Sequence, residues 1–111
     1  MVSYMDSWKD KVVIIIGGGA GIGQATALLF AEAGARVVVT GRLSEPLKRL
    51  IQERDNVDFA AADAANPDDA CRTIATTIER WRRLDVLVNN AGAGTILPLE
   101  PYEKGIQVVS F

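Results

Sequence analysis

The sequence predicts an α/β fold: a doubly wound parallel sheet, truncated after about four strands in the order 3-2-1-4, in one partial domain over residues 1–111. Three observations carry this. Short β-branched runs alternate with longer segments of helical spacing. The runs are apolar throughout rather than at every second residue, as strands are when helices cover both faces of a parallel sheet. A cluster of glycines stands between the first run and the first helical segment.

The first run, Val12-Val13-Ile14-Ile15-Ile16, has no polar alternation and is expected as a strand buried on both faces. The helix after it is expected from Gly21 to Ala33, with Gly34 as a left-handed C-terminal cap. Arg36–Thr40 is the second strand, built on Val37-Val38-Val39. Ser44 suits the N-cap of a second helix and Pro46 its first turn, where a missing N–H costs nothing; Leu47, Leu50 and Ile51 supply its apolar stripe. The third strand, Val57–Ala62, is the weakest because it is rich in alanine. Asn66 is expected to cap the third helix, with Pro67 at its first position and Asp68 and Asp69 at the positive end of its dipole. Cys71, Ile74, Ile78 and Trp81 then fall on one face at spacings of three, four and three. Asp85–Val88 is the fourth strand, and another helix is expected over Tyr102–Phe111. Right-handed crossovers join the strands.

The chemistry is concentrated where strands give way to loops. In Gly17-Gly18-Gly19-Ala20-Gly21-Ile22-Gly23 the glycines let the chain turn tightly and let backbone N–H groups approach a pyrophosphate with no Cβ in the way. The helix that follows points its N-terminus at the anion. Gly17, Gly19, Ala20, Gly21, Ile22 and Gly23 are therefore candidate cofactor-binding residues; a tight turn without a ligand is the plainer alternative. The spacing is Gly17-x-x-x-Gly21-x-Gly23, not G-x-G-x-x-G. Gly41 lies where an NAD-selective fold carries a carboxylate for the ribose 2′-hydroxyl, and it has none. Arg42 beside it is suited to a 2′-phosphate through its planar fork, which favours NADP while leaving NAD open. An exposed arginine at the start of a loop is the competing account. Asp63 follows the third strand and suits a turn that uses its carboxylate locally. Asn89-Asn90-Ala91-Gly92 follows the fourth: its amides can bond nearby backbone, and its small residues permit close approach.

The glycine turn and the Asn89-Asn90-Ala91-Gly92 segment together closely resemble the classical short-chain dehydrogenase/reductase family, whose fold is of Rossmann type. Trp8-Lys9-Asp10-Lys11 also looks like that family's opening, and the resemblance runs from Trp8 to Leu99. The family usually has threonine before the first glycine, where this chain has Ile16. The resemblance implies that Asp63 and the Ala64 amide contact the adenine edge. It also implies that Asn89 has a structural role and that Asn90, Ala91 and Gly92 line the cofactor pocket. Finally it implies an NAD(P)-dependent oxidoreductase that acts, in its full-length form, on a carbonyl or secondary alcohol. That chemistry uses a serine on strand five and a Tyr-x-x-x-Lys helix. Strand five and its serine are expected to be missing; the only tyrosines are Tyr4 and Tyr102, and four residues beyond them stand Trp8 and Ile106, so no catalytic residue is assigned. The expectation is an incomplete oxidoreductase; the alternative is a non-enzymatic nucleotide-binding or dimerisation module. With no later strand expected, Val86-Leu87-Val88 would form an open edge and promote self-association through strand four.

Composition narrows the partners. A formal net charge of -2 gives no electrostatic ground for nucleic acid or an anionic membrane. The one dense basic run, Arg80, Arg82 and Arg83, is expected to complement the end of the third helix. There is no histidine, which removes the commonest metal ligand, and no metal site is expected. A single cysteine, Cys71, and no recognisable export signal fit a cytoplasmic location. Val12–Ile16 is too short to span a bilayer.

Overall fold

The computed structural model describes residues 8–17, 21–41, 43, 45–63, 66–90 and 105–110. Its elements are β1 (Val12–Ile16), α1 (Gly21–Glu32), β2 (Arg36–Thr40), α2 (Glu45–Glu53), β3 (Val57–Ala60), α3 (Pro67–Trp81), β4 (Val86–Asn89) and β5 (Gln107–Ser110). The strands form one sheet in the order β3-β2-β1-β4-β5, parallel at every pairing.

β1 is central and all five of its residues are buried, which is why its sequence carries no polar alternation. Its side chains leave the sheet on alternate faces. Val13 and Ile15 join Ala27, Ala31, Leu47 and Leu50 in a core under α1 and α2. Val12, Ile14 and Ile16 join Ala70, Ile74 and Leu87 in a core under α3. Gly23, Ala27 and Ala31 make a small-residue stripe on α1, bringing the helix close to the strands. Gly34 takes φ +93° and ends that turn, as expected. Asn56 holds the same end with its side-chain amide, which donates to the carbonyls of Ala31 and Ala35 at 2.9 and 2.8 Å.

α3 begins as the sequence predicts. Asn66 lies in extended backbone and its side chain accepts from the Asp68 N–H at 3.0 Å, with Pro67 opening the helix. The arginines at its other end do more than complement the dipole. Arg82 is the left-handed C-cap at φ +62°, and its N–H donates to the Ile78 carbonyl. Arg80 and Arg36 place their guanidinium carbons 4.5 and 3.6 Å from the centre of the Trp81 ring. Arg83 forks onto Asp85.

Three expectations are corrected. Residues 107–110 are a strand, not part of a helix, and they pair with β4 in the register Val86↔Gln107 to Asn89↔Ser110. The physical reason is tertiary: Gly105 turns the chain at φ +86°, and the β-branched residues after it pair with the backbone of β4. Strand four is therefore interior, bonded to β1 on one side and β5 on the other. Among the described residues the edge on that side of the sheet is β5. The third strand is also shorter than expected, ending at Ala60.

Candidate functional site

A parallel sheet ends all its strands on one side, and helices start there. β1, β2 and β4 bring Gly17, Thr40 and Asn90 to that rim, beside the N-terminus of α1. Gly17 turns out of β1 at φ +81°, a conformation that favours glycine, and Gly21 opens α1 at φ +61°. A Cβ built on Gly21 would meet nothing within 4 Å among the described residues, so the space beside the first residue of the helix is open there. The first turn of α1 carries no acidic residue, whereas those of α2 and α3 carry Glu45 and Asp68 with Asp69. The positive end of the α1 dipole thus has no carboxylate of its own helix to answer it, which suits an external anion.

The start of the turn is held from both sides. The Gly17 N–H donates to the Thr40 carbonyl at 3.1 Å and to the Thr40 hydroxyl at 3.4 Å. The Gly17 carbonyl accepts from the Asn90 side-chain amide at 3.2 Å, while the Asn90 N–H donates to Ile16 at 2.9 Å. Asn90 therefore takes a structural part at the rim, of the kind the resemblance assigns to Asn89; Asn89 itself is half-buried and bonded.

Other candidate residues fall as follows. Ile22 is 59% exposed at the mouth of the site, and Gly23 is buried against the sheet. Asp63 is exposed beyond β3; its N–H donates to the Asp69 carboxylate at 2.8 Å, and the Asn66 N–H returns to its carbonyl at 2.9 Å. That Asp63 amide, together with Arg72, holds the Asp69 carboxyl below its ordinary range. Asp69 thereby ties the Asp63 loop to α3. Gly19, Ala20, Arg42, Ala64, Ala91 and Gly92 lie outside the described residues. β5 ends on Ser110, in backbone register with Asn89 at the same rim, so a serine does stand at the end of a fifth strand. Thr40 was missed by sequence reasoning; its signal is a polar residue closing the otherwise apolar run of β2, at 1% exposure. Among the described residues no acidic, cysteine or histidine cluster could hold a metal, and no helix is long and apolar enough to cross a membrane.

The profile of the short chain dehydrogenase family matches residues 11–107. The chain belongs to the short-chain dehydrogenase family. An uncharacterized oxidoreductase of Staphylococcus saprophyticus is 37% identical over 105 residues, covering 93% of this chain and 42% of the relative. Among solved structures, a short chain dehydrogenase of Bacillus anthracis superposes with a TM-score of 0.67 at 38% identity, over 89% of this chain and 43% of that one. A 3-ketoacyl-(acyl-carrier-protein) reductase of Brucella melitensis, complexed with NADH, gives 0.68 at 35% identity, over 79% and 36%. The chain thus spans less than half the length of these three proteins.

Proposed function

We propose that this chain is the nucleotide-binding front of an NAD(P)-dependent oxidoreductase and that it holds the adenosine-diphosphate half of the cofactor over the start of α1. One observation carries this: an acid-free helix N-terminus, open at Gly21 among the described residues, follows a buried central strand through a glycine-rich segment. When bound, the dinucleotide supplies hydride transfer. The chain's own residues supply the seat. On this reading the segment Gly17 to Gly23 and the amides of the first α1 turn are assigned to the pyrophosphate, Asp63 and Ala64 to the adenine edge, and Asn90, Ala91 and Gly92 to the lining of the cofactor pocket. Gly41 followed by Arg42 supports NADP over NAD, because an arginine fork suits a 2′-phosphate and no carboxylate stands at Gly41 to repel it. The substrate of the whole protein is a carbonyl or secondary alcohol, and a cytoplasmic location fits the lone Cys71.

Calorimetric titration with adenosine 2′,5′-bisphosphate and with adenosine 5′-monophosphate tests this. The 2′-phosphorylated form should bind more tightly, and Arg42→Ala should abolish the difference. Equal affinities in the unaltered chain would overturn the NADP preference. Binding of neither would overturn the site.

A further inference from the structure

We propose that Thr40 is a positioning residue for the nucleotide: its hydroxyl, opposite the Asn90 amide, holds the Gly17 peptide in the turn from which the phosphate seat is built. This rests on the nucleotide-binding reading above and adds to it a residue that touches no part of the ligand.

Thr40 ends β2 and is 1% exposed. The three residues before it are valines, and valine would fill the same shape. A hydroxyl in so apolar a place is unfavourable unless it is bonded. Its bond is to the Gly17 N–H at 3.4 Å, shared with the Thr40 carbonyl at 3.1 Å in a three-centre arrangement. The other face of the turn is fixed by the Asn90 amide at 3.2 Å on the Gly17 carbonyl. Neighbouring strands on either side of β1 thus grip the residue whose φ of +81° sends the chain out of the sheet. The side chain of Ile16, directly before it, has no polar atom with which to do this from within β1. Glycine is the residue whose backbone has most freedom to lose. Holding Gly17 before the ligand arrives lowers the ordering cost that binding would otherwise meet.

The test compares Thr40→Val, which keeps the shape and removes the hydroxyl, with Thr40→Ser, which keeps the hydroxyl. NADP+ and NAD+ affinities, the melting temperature and the exchange rate of the Gly17 amide proton are measured on each. Thr40→Val should weaken whichever dinucleotide binds by about three- to tenfold, the range of one hydrogen bond, and speed Gly17 exchange by a similar factor. Its melting temperature should stay close to that of the unaltered chain, and Thr40→Ser should restore both affinity and exchange. Unchanged affinity and exchange in Thr40→Val overturn the proposal, as does a loss of affinity that Thr40→Ser does not rescue. If the unaltered chain binds neither dinucleotide, the nucleotide reading fails. Exchange then decides the grip alone: faster in Thr40→Val supports it, and equal rates overturn it.

Discussion

Asp85 shows how much one side chain does at the foot of this sheet. One oxygen accepts from the Val12 N–H and the Arg83 Nε, both at 2.8 Å, and the other accepts from Arg83 Nη2 at 2.8 Å. Val12 is buried, so its N–H has no water to turn to if Asp85 is removed. Asp85→Ala should therefore cost about 1–3 kcal/mol at neutral pH, measured by urea unfolding. The pH dependence has a definite sign. Arg83 first, then the Val12 amide, hold the Asp85 carboxyl below its ordinary value of 3.8 against the opposing effect of burial. A carboxyl lowered in the folded state contributes stability that is fully present above the unfolded value and is lost as pH falls through the folded one. The gap between the unaltered chain and Asp85→Ala should narrow only in acid below that ordinary value. A gap of constant size down to the acid limit would show that the carboxylate charge plays no part.

At the scale of elements, α3 was the most legible. Asn66, Pro67 and the two aspartates announce a start that depends only on neighbours in sequence, and the cap forms as expected. Asn66→Ala should lower stability by about 1 kcal/mol, equivalent to roughly 4–8 °C in a thermal melt followed by circular dichroism. A change too small to measure would mean that tertiary contacts alone hold the first turn. β5 was not legible, because residues 107–110 are too few for periodicity to decide between helix and strand. The exposed side of β4 decides it, and that side exists only once the sheet is assembled. The bond from the Asn90 amide to Gly17 was hidden for a related reason: the two residues lie 73 positions apart and meet only through the sheet. Thr40 gave only a weak signal, since its partner Gly17 lies 23 residues away and is met through the sheet.

For the whole molecule, the two edges of the sheet differ. β3 carries Asp58, whose Oδ2 is buried without a hydrogen-bond partner among the described residues. An inward-pointing charge is one of the devices that keep an edge from pairing with another chain. β5 reads Gln-Val-Val-Ser, with no charge and no proline, and Val108 is 48% exposed. Self-association, first expected through strand four, is now expected through β5. Light scattering on the 111-residue chain should give a mass above 11.9 kDa that falls on Val108→Lys. A concentration-independent monomer would show that this edge is covered. The same chain should show no hydride transfer above background with a panel of alcohols and ketones. It has no Tyr-x-x-x-Lys pair to move the proton, and acid/base help of that kind is commonly worth about 10²–10⁴-fold. Turnover that disappears on changing Gly21 would refute this.

The placing of β1 between β2 and β4 also governs the order in which the molecule is made. The bonds from Val12 to Asp85 and from Asn90 to Gly17 each join residues 73 positions apart. Closing so long a loop is slow compared with forming a helix, and nothing rewards it until both ends are present. On the ribosome, β1 and the glycine turn emerge first, yet the turn has only one of its two anchors until Asn90 has followed. A segment made before β4 is thus among the last to acquire its native shape. Until then five consecutive aliphatic residues wait without a second neighbour, which opens a second route to aggregation during synthesis.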